Sequence, residues 1–200
     1  MSQPTAEQFA KDVAKHEMTI LHEDGVYRHV TFGVPNSGID RFNLTTFPGR
    51  LVFTGDRGDY LFERTNDMFQ FFRNSSGEIN EDYWAEKCVA SDRDGIKVFS
   101  GERFKEVILQ QLEDMEADAN TRAAVEEYLL DSTDEMTNES AHREVSNFAL
   151  VDEDGDDNEV FSDSYEYDFT EYTYRFIWCL RAIVWGIAKY DSERSKCKPN

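Results

Sequence analysis

Four short runs near the start of the chain, Val26–Val34, Ile39–Phe47, Leu51–Thr54 and Tyr60–Arg64, are rich in β-branched and aromatic residues, and only PNSG, PGR and GDRGD separate them. A parallel crossover needs about a dozen residues or more, so connections this short force neighbouring strands to be antiparallel. The first half of the chain is therefore expected to build an antiparallel sheet from strands joined by tight turns.

Helices are expected before and after those strands in the sequence. Thr5 and Gln8 are spaced as a capping box, and Phe9, Val13, Ile20 and Leu21 share a helical face, which predicts a first helix from about Thr5 to Leu21. Asp67 to Phe72 and Asn80 to Val89 predict short helices or turns, and Ile96 to Phe99 a further strand. Ser100 reads as the cap of a helix whose Phe104, Val107, Ile108, Leu112 and Met115 fall on one face. Two more helices are expected at about Thr121–Leu130 and Glu139–Phe148.

The last element is the apolar run Tyr172–Ala188. Arg175 and Arg181 interrupt it, and the apolar part falls well short of the ~20 residues that span a bilayer. It is expected to be a core helix, with its two arginines neutralising nearby carboxylates.

The expected fold is thus α+β: an N-terminal antiparallel sheet packed with helices, then an acidic helical C-terminal half ending in a buried apolar helix. With 200 residues, 40% of them hydrophobic and 14% aromatic, there is material for one sizeable core, so a single domain over 1–200 is expected, with the sheet in 1–99 and the acidic part in 100–200. The start carries no secretory pattern, and three cysteines without CxxC spacing are poor material for disulfides or zinc, so reduced thiols in a cytoplasm are expected.

Charge is the second constraint. The formal net charge is −20, and between Glu113 and Glu171 there are 21 carboxylates against two bases, Arg122 and Arg143, so this stretch alone carries −19. A surface of that sign repels nucleic acid and anionic membrane and attracts basic surfaces, at rates that fall with salt.

Motifs for chemistry are sparse. His16, His22, His29 and His142 are not spaced as HxH, HxxxH or HExxH ligands, and each reads as a surface or helix-face residue. Gly55-Asp56-Arg57-Gly58-Asp59 lacks the glycine spacing and the Lys-Ser/Thr of a phosphate-binding loop and reads as a turn. Asp152, Asp154, Asp156 and Asn158 repeat the alternate-oxygen pattern of an EF-hand, yet position six is Asp157 instead of glycine and position twelve is Asp163 instead of glutamate. The near-alternating Tyr165, Tyr167, Phe169, Tyr172 and Tyr174 read as a half-buried strand running into a helix. No catalytic residue, cofactor or metal site is expected, and the chain reads as a non-enzyme.

The segments FNLTTFPGRLVFTGD (Phe42–Asp56) with DMFQFF (Asp67–Phe72), and YTYRFIWCLRAIVWGI (Tyr172–Ile187), resemble a largely uncharacterised family of small proteins encoded by bacteriophages and prophages. The resemblance implies a phage origin and no catalytic residues. It favours, among acidic proteins, an inhibitor that imitates DNA to occupy the basic cleft of a host defence protein, a restriction or CRISPR effector, in the bacterial cytoplasm. Duplex DNA carries one charge per roughly 1.7 Å of axis, and carboxylates three or four apart on a helix lie roughly 5–6 Å from one another. Glu113, Glu116, Asp118, Glu126, Glu127, Asp131, Asp134 and Glu135 are expected to form such a row, extended by Asp152, Asp154, Asp156, Asp157 and Glu159. The alternatives are an acidic adaptor that binds a basic protein without imitating DNA, and a metal-dependent enzyme of unrecognised type.

Overall fold

The computed structural model describes residues 3–74, 76–131, 133, 135–151 and 155–196, and residue contacts group the chain into two compact units, Met1–Ile96 with Tyr172–Asn200, and Lys97–Glu171.

In the first unit, α1 (Ala6–Asp12) is capped by the Thr5 side chain, which accepts from the Gln8 amide at 3.1 Å. It stops nine residues short of the expected Leu21, because Met18 and Ile20 belong to strand β1 (Glu17–Asp24), opposite Phe32 and Val30 of β2 (Tyr27–Gly33). Helical spacing from Phe9 to Ile20 and strand alternation through Met18, Thr19 and Ile20 both fit the sequence; cross-strand burial decides between them. Next come β3 (Phe42–Phe47), β4 (Arg50–Gly55), β5 (Tyr60–Glu63) and β6 (Cys88–Ser91), and the six strands form one antiparallel sheet in sequence order. The β3–β4 turn is Pro48-Gly49, in which proline presets one central φ and Gly49 takes φ +80°. Two short helices, α2 (Met68–Phe72) and α3 (Glu81–Ala85), stand between β5 and β6. The residues after Ala85, expected to be helical to Val89, instead give the β6 edge strand.

The closing helix (Tyr174–Lys196) buries Phe176, Ile177, Trp178, Leu180, Ile183 and Ile187 in one core with Phe32, Phe42, Leu44, Phe53 and Phe62 of the sheet. Trp178 meets Phe9 and Phe42 edge-on and donates its indole N–H to Asp12 at 3.0 Å. A Cβ at Gly186 would lie 3.1 Å from both Leu44 and Phe32, so a residue with no side chain sets how closely this helix approaches the sheet. Division after residue 99 assigns the helix to the acidic half, whereas its burial is with the N-terminal sheet. Arg175 pairs with Asp94 as expected, but Arg181 donates to the Pro4 carbonyl and not to a carboxylate. Among the described residues, no helix is long and apolar enough to cross a membrane.

The second unit begins with β7 (Lys97–Phe99) and α4 (Gly101–Asp114), whose Ser100 cap accepts from the Arg103 amide at 3.1 Å. α5 (Ala119–Val125) runs on into a π-helical turn, Glu126–Leu130, and α6 (Asn138–Ser146) opens with a Thr137/Ser140 capping box. β8 (Ala149–Val151) and β9 (Asp157–Glu159) pair as a hairpin, and β10 (Thr170–Tyr172) pairs with β7. The unit has its own core of Phe104, Ile108, Leu112, Val125, Leu129, Val145, Phe161 and Phe169.

Candidate functional site

The second unit holds 23 carboxylates against five lysines and arginines, a net −18, and the first unit 18 against 16, a net −2. Every described Asp and Glu from Glu113 to Asp168 is exposed. The apolar positions of α4 and α6 turn inward to the unit's core, which leaves the carboxylates on the solvent side.

Three of the residues expected at the surface, Asp134, Asp152 and Asp154, lie outside the described residues. The other ten are all exposed, but they sit on different elements. Glu113 is in the last turn of α4, Glu116 follows it with φ +52°, and Glu126 and Glu127 open the π-helical turn, with Asp131 just beyond. Glu135 stands ahead of α6. Asp157 and Glu159 are in β9, where two-residue periodicity sets them on the same face, and Asp156 precedes them. A continuous row at helical spacing is therefore interrupted between Glu113 and Asp118, because the chain turns there. Asp118 itself is engaged: it caps α5 by accepting from the amides of Asn120 and Thr121 at 2.8 Å, and these bonds hold its carboxyl below the ordinary range.

The few cations of this unit do little to neutralise the surface. Arg122 donates to the carbonyls of Leu112 and Ala117, at 2.9 and 3.1 Å, and so satisfies the open C-terminal end of α4. Lys97 pairs with Asp168 at 2.7 Å and Arg103 with Glu106 at 3.3 Å. Desolvation works against the charge of Asp168, but Lys97 and the hydroxyl and amide of Thr170 outweigh it and bring its carboxyl down to about 2. In the first unit, by contrast, Arg28, Arg50, Arg57, Arg73, Arg175 and Arg194 each pair with a carboxylate.

Exposed apolar side chains stand among the carboxylates. Tyr128, between Glu127 and the rest of the π-helical turn, is 70% exposed, and Tyr165 is 73% exposed. The charge of Asp163, with its hydrogen bond, pushes the Tyr165 hydroxyl upward. The strand expected through this aromatic series is confined to Thr170–Tyr172, preceded by a single 3₁₀ turn at Ser164–Glu166.

Among the described residues, no group of three or more His, Cys, Asp or Glu is placed to hold a metal ion. The two described thiols are suppressed: burial pushes Cys88 up to about 11 and raises Cys179 well above its usual value. One arrangement escapes a reading of linear spacing. His22 and His29 are register partners across the first hairpin. The two-residue Gly25-Val26 turn is the signal that pairs them, and it is hidden as long as Ile20 and Leu21 are given to a helix.

No protein-family model, curated protein or solved structure matches this chain.

Proposed function

We propose that the second unit is a binding surface for the basic, nucleic-acid-binding groove of another protein, and that the chain is a non-enzymatic inhibitor acting by imitation of DNA. The observation that carries this reading is that every described carboxylate between Glu113 and Asp168 is exposed, on a folded unit with its own core. Self-repulsion of this size destabilises a compact unit, and an ordinary surface relieves it with interspersed lysines. The first unit of the same chain does so. Tyr128 and Tyr165 add the kind of aromatic contact that anchors protein interfaces and stacks on guanidinium groups. The resemblance of Phe42–Asp56 and Tyr172–Ile187 to phage proteins favours a host defence effector as the target and the host cytoplasm as the place.

The test is capture from a bacterial lysate on the immobilised protein at low salt. Duplex DNA is expected to displace the captured protein, and affinity is expected to fall steeply with salt, as for a groove evolved to bind phosphates. A variant with Glu126, Glu127, Asp131 and Glu135 changed to lysine should fold at least as stably and lose capture. Displacement by neither DNA nor salt, or unchanged capture by the variant, refutes the mimicry.

A further inference from the structure

His22 and His29 lie directly opposite one another on β1 and β2. The neighbours of His29 in β2 point to the core side: Val30 is fully buried, and the Arg28 guanidinium lies 4.8 Å from the Phe69 ring. Alternation therefore sets His29 and its partner His22 on the opposite face of the sheet. The bulge between Ile20 and His22 makes the pair. Without the extra residue, Leu21 would face His29 and His22 would turn toward the core.

The remaining two histidines are engaged. His16 Nε2 lies 2.9 Å from the Asp40 carbonyl with Phe42 and Trp185 beside its ring, and His142 Nδ1 lies 3.1 Å from the Ser164 carbonyl against Phe169. Among the described residues, the side chains of His22 and His29 have no hydrogen bond, ion pair or ring contact, and His22 is exposed while His29 is half-buried.

We propose that this pair is a two-imidazole binding site for a divalent transition-metal ion of the Zn²⁺ or Ni²⁺ class. Opposed residues of an antiparallel pair have Cβ atoms about 4.5–5.5 Å apart. Two nitrogens bound to one tetrahedral ion at about 2.0–2.1 Å lie roughly 3.3 Å from each other, so side-chain rotation alone brings the rings onto one ion. Imidazole donors suit these ions and not Mg²⁺ or Ca²⁺, which take oxygen. No third His, Cys, Asp or Glu among the described residues completes the set. The ion therefore keeps water in its other positions, and the site is an open one.

Titration of the full-length protein with Zn²⁺, followed by NMR of the histidine ring signals, tests this. The signals of His22 and His29 are expected to move together, those of His16 and His142 to stay, and Mg²⁺ to move none of them. His22→Gln, on the exposed edge strand, and His29→Gln should each weaken Zn²⁺ binding by about tenfold or more, since loss of one ligand ends the chelation. The proposal is overturned if the two signals fail to respond together, or if the double variant binds Zn²⁺ as tightly as the wild type, which assigns the ion to the carboxylates of the acidic unit.

Discussion

Two units of one chain manage charge in opposite ways. The unit built on the six-stranded sheet spreads 16 bases among 18 carboxylates, whereas the unit from Lys97 to Glu171 sets five against 23. Both have aromatic and aliphatic cores of their own. The difference therefore does not come from a shortage of material for folding, and it is not a bias that acts on the whole chain, as adaptation of a proteome to high salt would. It is local, and it is confined to one unit's surface. Stability in the first unit rests on burial and on paired charges; in the second it rests on burial and helix caps, against repulsion that the Lys97–Asp168 and Arg103–Glu106 pairs relieve only locally.

The largest effect is expected at Trp178, which is fully buried between Phe9 and Phe42 and donates to Asp12. Trp178→Ala is expected to destabilise the first unit by about 3–5 kcal/mol, measured by urea denaturation. Hydrogen exchange sharpens the result: amides of β3 and β4 should lose protection while those of α4 keep it. An equal loss in α4 would mean that the two cores behave as one.

Asp67 tests the paired charges. Its carboxylate receives two bonds from Arg28, at 2.9 and 3.0 Å, and caps α2 through the amides of Phe69 and Gln70. Partial burial opposes its ionisation, but Arg28 and the two amides outweigh this and hold the carboxyl below its ordinary range. Asp67→Ala strips a cap and leaves a guanidinium, only 10% exposed, without its counter-ion. A loss of about 2–4 kcal/mol is expected, against a change within about 0.5 kcal/mol for Glu127→Ala on the acidic unit, with both read from thermal or urea unfolding.

These elements differ in how far the sequence announces them. The Pro48-Gly49 turn, the Ser100 cap and the apolar stripe Phe104, Ile108 and Leu112 are local, and each is legible because its physics lies within a few residues. β1 is not, since Ile20 extends the helical face of Phe9 and Val13 as readily as it fits the alternation of Met18, Thr19 and Ile20, and the choice depends on Val30 and Phe32 beyond the turn. The same long-range dependence hid the His22–His29 pair and placed the closing helix with the N-terminal sheet. In the acidic unit, composition announces the carboxylates but not their arrangement. Glu116 at a left-handed turn and Asp118 in a cap interrupt a row that spacing alone predicts as continuous.

A smaller effect than at Asp67 is expected at Asp168, where the acidic unit follows the pairing rule of its neighbour. Its carboxyl is held at about 2 by Lys97 and Thr170, below the ordinary value of about 3.9. A lowered folded value means that ionised Asp168 adds stability above pH ~4, and that this contribution fades as pH falls through ~4 toward ~2. More than half of the side chain is exposed, so screening keeps the contribution below about 1 kcal/mol. Asp168→Asn should therefore be slightly less stable than wild type at neutral pH, with the gap closing between pH ~4 and ~2 and narrowing in high salt. Denaturation curves for the two proteins across that range check it. A gap that stays constant with pH would assign the role of Asp168 to hydrogen bonds that asparagine cannot reproduce, and not to its ion pair with Lys97.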